Sequence, residues 1–291
     1  MFPRYLRNWL LFLVTAVIAA GTSEQRSAFS EASLPSDPNQ FVREMVQREL
    51  DAQNLDHSLW RYHLHKEDEL NAQDRDVIET RQGSLARTLL INGHPLTPEQ
   101  RKKDQERMKN LVDDPAEQAK RTHRAKQDED KAKELLRAIP DAFLFKYDGS
   151  EGHLTRLSFS PNPRYSAPTR ELMVYHAMTG KLTVDRTSMR LVMIEGRLTE
   201  DVKFGWGLLG HLDKGGTFKV IQEKVGDNHW DQVLLDVSMT GRAIIFKTLN
   251  VKTKQVLSDF HRVPDDTTLA RAYEMFQEDG SSVTASGIST K

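Results

Sequence analysis

The chain of 291 residues contains no cysteine. It therefore forms no disulfide, holds no metal through thiolates, and has neither a cysteine nucleophile nor a lipid-modified cysteine. The formal net charge is only -1, so no strong global field draws the protein toward nucleic acid or an anionic membrane. These absences exclude several classes of enzyme and binding protein without naming a function.

Long apolar runs are also scarce, and the one that occurs is at the N-terminus. Arg4 and Arg7 precede an uncharged run from Trp9 to Ala20, and Gly21 follows it. This order is typical of a secretory signal peptide. An uncleaved membrane anchor is the alternative, but the run is shorter than the about 20 residues that span a bilayer. We therefore predict a signal peptide over residues 1–21, a periplasmic or secreted protein of the bacterial cell envelope, and no transmembrane segment after cleavage.

The mature chain divides by composition into four parts. Residues 22–39 are rich in Ser, Glu, Ala and Pro and predict a flexible lead. Residues 40–279 predict one α+β domain, which begins with an amphipathic helix over 41–50 that Asp37 or Asn39 caps. A charged helical insert over 97–139 begins at a Thr97 cap and breaks at Pro115. Residues 280–291 predict a disordered tail.

The second half of the chain predicts a row of antiparallel strands. Short apolar runs alternate with turn signals, among them Thr240-Gly241 and Lys252–Lys254. Strands this short, joined by short turns, form hairpins rather than βαβ units. The predicted strands are 58–66, 75–80 and 84–91 in the first half, then 142–147, 154–159, 171–178, 181–185, 189–199, 218–225, 230–239, 243–252 and 255–263.

Apolar residues of one parity recur on several of these strands and predict a buried face. An antiparallel sheet commonly has one dry face and one wet face. The dry face is either filled by the 41–50 helix as ordinary core or left open as a groove that suits an acyl chain. The candidate ligand-binding residues on this face and on a nearby loop are Val192, Ile194, Trp206, Leu208, Leu209, Val233, Leu235, Val237, Met239, Ile244 and Phe246.

Two further patterns are weaker. The segment Gly205–Gly210 matches the dinucleotide motif G-x-G-x-x-G, but a strand rather than a helix is expected after it, so we predict a loop and no cofactor. His63 and His65 lie on one face of a strand with Glu67 next to them, a spacing that can hold a metal. An exposed polar face is favoured over a metal site. The charged insert has mixed signs and no interleaved aromatics, so no nucleic-acid partner is predicted.

The order of these elements resembles that of periplasmic lipoprotein carriers of the LolA/LolB type and of uncharacterised exported bacterial proteins with the same architecture. The segment from Gly180 to Leu198 carries most of the likeness, as a strand that ends in Asp185, a turn, and a strand with paired apolar residues. The resemblance implies an incomplete β-barrel whose apolar concave face, covered by helices, holds acyl chains. The charged insert departs from that pattern.

The fold class that follows is α+β, a curved antiparallel sheet in the form of an open half-barrel, with helices on its concave side. The leading functional hypothesis is a non-enzymatic periplasmic carrier or binding protein for an apolar or lipid-like ligand. The first alternative is an envelope scaffold that binds a protein partner through its charged helices. The second is a secreted hydrolase, which clustered carboxylates or His63, His65 and Glu67 around a cleft would favour.

Overall fold

The computed structural model describes residues 34–204, 210–227, 229–243 and 247–286, with side chains for all of these except 243, 247–249 and 280–286. The described residues form two compact units. The first unit contains residues 34–56 and 129–255, and the second contains residues 57–128 and 256–286.

The described residues form helices and an antiparallel sheet, so the predicted α+β class is confirmed. The helices are α1 (Pro38–Leu55), α2 (Pro98–Asp113), α3 (Pro115–Ala142) and α4 (Leu269–Ser286), with a 3₁₀ segment at Glu171–Ala177. The strands are β1 (Leu59–Asp68), β2 (Ala72–Ile78), β3 (Leu85–Ile91), β4 (His94–Pro95), β5 (Phe143–Glu151), β6 (Leu154–Pro161), β7 (Met178–Asp185), β8 (Arg190–Leu198), β9 (Val202–Phe204), β10 (Gly210–Leu212), β11 (Thr217–Lys224), β12 (Trp230–Ala243) and β13 (Lys247–Val263).

Within the first unit the strands follow the order β13-β12-β11-β8-β7-β6-β5, and the hairpin of β9 and β10 pairs with β12 through β10. Most neighbours in space are also neighbours in sequence, which is the predicted meander of hairpins. Among the described strands this path ends at β5 and does not return, so the sheet is open. The strand β13 begins here and ends in the second unit, where the order is β4-β3-β2-β1-β13.

Helix α1 forms as predicted and packs on one face of the first unit's sheet. The Asp37 side chain accepts a hydrogen bond from the backbone N of Asn39 at 2.9 Å, which caps the helix. The Asn39 side chain instead joins β5, donating to the Phe143 carbonyl at 2.7 Å and accepting from the Phe145 N–H at 3.0 Å. The apolar face of α1 is buried in the core cluster through Phe41, Val42, Met45, Val46 and Leu50.

The charged insert forms two helices that are separated at Asp114. Thr97 caps the start of α2 as predicted, and the Gln100 side chain completes a capping box with it. The helix ends at Asp113 and α3 begins at Pro115, where the sequence predicts a break. Most side chains between residues 115 and 130 are exposed, and ion pairs such as that of Arg121 with Glu117 at 3.5 Å lie along the helix.

Three local predictions are wrong. Residues 171–177 form 3₁₀ turns rather than a strand, and the N–H of Met173 donates to the Arg170 carbonyl three residues back at 3.2 Å. No turn occurs at Thr240-Gly241, where β12 continues because Gly241 allows β10 to approach its backbone closely. Residues 252–254 are also part of a strand, since Thr253 is buried between two exposed lysines.

Candidate functional site

An apolar cavity of about 110 Å³ lies in the first unit. One wall, which we call the floor, comes from the sheet strands β7, β8, β11 and β12 together with Phe143 of β5. The other wall, the cover, comes from the end of α3 and from the 3₁₀ segment. The lining residues are Leu135, Leu136, Ile139, Phe143, Val174, Tyr175, Met178, Leu191, Ile194, Phe218, Leu235, Val237 and Met239.

The floor forms because successive side chains of a β-strand point to opposite faces of the sheet. Leu235, Val237 and Met239 lie two residues apart on β12, so their side chains leave the same face of the sheet. Val220 of β11 pairs with both Leu235 and Ile194, which places Ile194 of β8 in the same row. All five of these side chains are buried. The sequence pattern that predicted a dry face therefore forms a continuous apolar surface at this point.

Two β-bulges decide where the floor ends. The register between β7 and β8 shifts so that Val192 opposes no residue of β7, and Leu191 takes the inward position. The register between β11 and β12 shifts in the same way at Val233, and the inward position passes to Gln232. Val192 and Val233 are therefore half-buried and lie outside the cavity lining.

The cover is tied together by buried polar groups. The Tyr175 hydroxyl donates a hydrogen bond to the Leu135 carbonyl at 3.2 Å, which joins the 3₁₀ segment to α3. Burial raises the pKa of Tyr175, so this hydroxyl keeps its proton. The Lys133 ammonium, two residues before Leu135 on α3, donates to the Asn54 side chain of α1 at 2.9 Å. The cover is thus joined to α1 and to itself by hydrogen bonds, and its inner side is apolar.

A pair of glycines sets the position of one cavity wall. Gly180 and Gly196 face each other across β7 and β8, and Phe159 and Phe218 flank them on β6 and β11. A Cβ atom on Gly180 would lie 2.0 Å from the Glu195 carbonyl oxygen. A Cβ atom on Gly196 would lie 2.5 Å from the Phe218 ring. The absence of side chains at both positions lets the two rings lie across the sheet, and Phe218 reaches the cavity.

Polar side chains border the cavity where the floor ends. Glu49 of α1 is 1% exposed, and its Oε1 accepts hydrogen bonds from the Leu191 N–H at 2.6 Å and from Arg190 Nε at 3.0 Å. The Arg190 guanidinium also lies 5.6 Å from the centre of the Trp230 ring. A buried ion pair thus satisfies the backbone of the β8 bulge directly beside an apolar lining residue.

His229 lies next to this border and was not singled out by the sequence. It is 8% exposed, its Nδ1 contacts the Asp56 carboxylate, and its Nε2 lies 3.5 Å from Asp231 Oδ2. Burial by itself lowers the pKa of His229, but the carboxylates of Asp231 and Asp56 outweigh it and raise the pKa to about 9. The imidazole is therefore a cation at neutral pH and serves as an ion-pair partner rather than as a general base.

The structure brings together only part of the predicted ligand-binding set. Ile194, Leu235, Val237 and Met239 line the cavity. The remaining predicted residues, apart from Val192 and Val233, lie outside the described residues: Trp206, Leu208, Leu209, Ile244 and Phe246. Gly210, the last glycine of the dinucleotide-like motif, begins the strand β10.

The sequence did not indicate the other lining residues. Leu135, Leu136 and Ile139 are the sparse apolar positions at the end of a highly charged helix, and only their clustering there could have marked a buried face. Val174 and Tyr175 lie in the segment that was predicted as a strand.

The predicted histidine pair lies in the second unit, and the carboxylate that both rings contact is that of Asp74 and not that of Glu67. His63 Nε2 and His65 Nδ1 lie 3.1 Å and 3.0 Å from the same oxygen of Asp74, which is on the neighbouring strand β2. Burial raises the pKa of Asp74, but the hydrogen bonds with the two histidines outweigh it and lower the pKa. Glu67 is exposed and opposes Ala72 in the register of β1 and β2. Across the described residues, no group of side chains has the arrangement of a metal site.

A second, wider concavity of about 800 Å³ lies on the opposite face of the first unit's sheet. Charges alternate along one row of this face in the register order Lys181, Glu195, Lys219 and Asp236. Lys219 Nζ lies 2.9 Å from Glu195 Oε2, so part of the row is paired internally. This face is polar and open to solvent, in contrast to the first cavity.

No model of a protein family matches the chain, and a search of curated proteins finds no similar sequence. None of the helices in the described ranges is long and apolar enough to cross a membrane. The architecture, a large antiparallel sheet with helices, is compatible with that of the LolA/LolB-type carriers.

Proposed function

We propose that the protein is a non-enzymatic carrier that binds an apolar, lipid-like ligand in the cavity of the first unit after export to the cell envelope. The observation that supports this most is the composition of the cavity, whose lining residues are aliphatic or aromatic without exception. The one hydroxyl among them, that of Tyr175, is already hydrogen-bonded to a backbone carbonyl. An apolar chain that binds to this surface is removed from water, whereas a water molecule there would find few hydrogen-bond partners.

The volume of the cavity limits what binds without a conformational change. An apolar cavity of about 150 Å³ holds one benzene ring. The present cavity of about 110 Å³ therefore admits about four carbon atoms of a chain. At about 0.8 kcal/mol for each buried methylene, four groups contribute about 3 kcal/mol, which is less than a millimolar complex requires.

Carrier function therefore includes displacement of the cover. Leu135 and Ile139 are half-buried, and the 3₁₀ segment lacks the sheet hydrogen bonds that hold its neighbours. Movement of the α3 end and the 3₁₀ segment away from the floor lengthens the cavity along the row of Leu235, Val237 and Met239. Each further methylene that reaches this row adds to the affinity.

Binding of the neutral fluorescent probe N-phenyl-1-naphthylamine to the mature protein tests this function. Leu235→Glu places a charge in the floor and should abolish the fluorescence increase, whereas Leu144→Glu, on the exposed face of β5, should leave it unchanged. Val237→Phe fills the cavity without adding a charge and should weaken binding at least about tenfold while circular dichroism stays native. A wild-type protein that binds no probe, or a folded Leu235→Glu variant that binds it normally, contradicts the carrier function and favours a scaffold.

A further inference from the structure

Buried polar atoms lie beyond the end of the floor, on the strands β11 and β12 and on the helix α1. On β12 the apolar row of Met239, Val237 and Leu235 gives way to Gln232 after the bulge. Gln222 lies opposite Gln232 on β11. Glu49 of α1 lies at the same end of the floor, where its carboxylate accepts hydrogen bonds from Arg190 and Leu191 of β8. We call Glu49, Gln222 and Gln232 the polar cluster.

The polar cluster is incompletely hydrogen-bonded. Among the described residues, Glu49 Oε2, Gln222 Oε1 and both amide atoms of Gln232 are buried and have no hydrogen-bond partner. Glu49 is 1% exposed and Gln232 is 3% exposed, so bulk water does not reach them. Native proteins pair about 90% or more of such groups, and a concentration of exceptions points to a missing ligand or ordered water.

The polar cluster adjoins the cavity in the strand register, since Gln232 is the next inward-facing residue of β12 after Leu235, although no cluster residue belongs to the cavity lining. The Leu191 side chain lines the cavity, and its N–H donates to Glu49 at 2.6 Å. Leu235 lines the cavity from β12, three residues from Gln232. A molecule that enters along the floor therefore meets apolar side chains first and the unpaired polar atoms at the far end.

The charges of the site restrict the kind of head that fits there. Glu49 is paired with Arg190, and both side chains are buried, at 2% and 12% exposure. An added carboxylate would face the second oxygen of Glu49, and an added ammonium would be buried without a counter-ion of its own. Three of the four unpaired atoms are oxygens, which accept hydrogen bonds. An uncharged group with hydroxyl donors satisfies them without either cost.

We propose that the polar cluster receives the uncharged, hydroxyl-bearing head of an amphipathic ligand whose acyl tail lies in the cavity, as in a glycerol monoester. This assignment rests on the proposed carrier function and adds to it a selectivity for the head group. A free fatty acid, which is ionised at neutral pH, is disfavoured at the same site.

Competition against bound N-phenyl-1-naphthylamine tests the selectivity in the full mature chain. We expect 1-lauroylglycerol to displace the probe at a concentration about tenfold lower than laurate at pH 8, with both below their micellar concentrations. Gln232→Leu should reduce this ratio to about one, and Gln222→Leu is a second variant should the first fail to fold. Gln47→Leu, the same substitution at an exposed position of α1, should leave the ratio unchanged.

The stability of the Gln232→Leu variant distinguishes a ligand-binding role of the polar cluster from a purely structural one. Removing a buried, unpaired amide should leave the ligand-free protein as stable as the wild type or more so. A folded Gln232→Leu variant that loses stability and keeps the selectivity overturns the assignment. Equal displacement by the ester and by laurate also overturns it, leaves the carrier function standing, and indicates that ordered water alone fills the cluster. Failure of the probe to bind at all overturns the carrier function and this assignment together.

Discussion

The ion pairs of His229 make a quantitative prediction about how stability depends on pH. His229 is 8% exposed, and the carboxylates that face it are those of Asp56, at the end of α1, and Asp231, on its own strand. Its pKa is raised to about 9, compared with about 6.5 for an unfolded chain. The folded protein therefore binds the proton more tightly than the unfolded chain does.

The sign and size of the effect follow from this difference. Because the folded pKa is raised, the stabilisation is fully present below pH about 6.5 and is lost as the pH rises through about 9. The gap between the two pKa values corresponds to about 3 kcal/mol of unfolding free energy. Typical domains are stable by about 5–15 kcal/mol, so a loss of this size is measurable.

Urea denaturation of the wild type and of His229→Gln at pH 6 and pH 10 isolates this contribution. The difference in unfolding free energy between the wild type and the variant should be about 3 kcal/mol larger at pH 6 than at pH 10. Other titrating groups affect both proteins alike and cancel in this difference. An equal pH dependence of the wild type and His229→Gln would refute the assignment of the charged imidazole.

Two further predictions concern the sheet and the N-terminus. Gly180→Ala places a Cβ atom 2.0 Å from a backbone oxygen and should lower the free energy of unfolding by about 3 kcal/mol or more. Lys181→Ala, on the exposed face, should change it by less than about 0.5 kcal/mol. Thermal denaturation of both variants and the wild type measures the difference. N-terminal sequencing of protein from the cell envelope should find a start near Thr22, and a membrane-bound chain that begins at Met1 would contradict the predicted cleavage.

Helix ends were predictable because their signals are local. Asp37, one of the two caps that the sequence allows, begins α1. Thr97 caps α2, and Pro115 divides α2 from α3, both as the sequence predicts. A capping interaction spans only three or four residues, so the residues that define it are adjacent in the sequence.

The bulges were not predictable from the same pattern. Val192 and Val233 have the parity of their inward-facing neighbours and carry no glycine or proline nearby in the strand that would indicate a register shift. The shift is visible only once the partner strand is known. Gln232 of the polar cluster faces inward only because of the bulge at Val233. The sequence pattern therefore did not predict the polar cluster either.

The cover of the cavity was hidden for a different reason. Leu135 and Ile139 belong to a helix whose other residues are mostly charged. A helix of this composition is predicted to be exposed to solvent. What buries these two side chains is contact with the sheet and with Tyr175, which is separated from Leu135 by 40 residues. Tertiary contacts of this range leave no periodic signal in a single sequence.

The cavity and the polar cluster are two independent costs to stability, and they occupy adjoining positions of the sheet. An empty cavity of about 110 Å³ costs about 3 kcal/mol at about 24 cal/mol for each Å³. Each buried polar atom without a partner costs about a further 1–3 kcal/mol. The two features meet at Leu191, whose side chain lines the cavity and whose N–H binds Glu49. Imperfect packing alone gives no reason for a void and unpaired polar atoms to adjoin, whereas an amphipathic ligand relieves both costs at once. Departures from the local rules of packing and hydrogen bonding are expected at functional sites, and this end of the sheet combines both kinds.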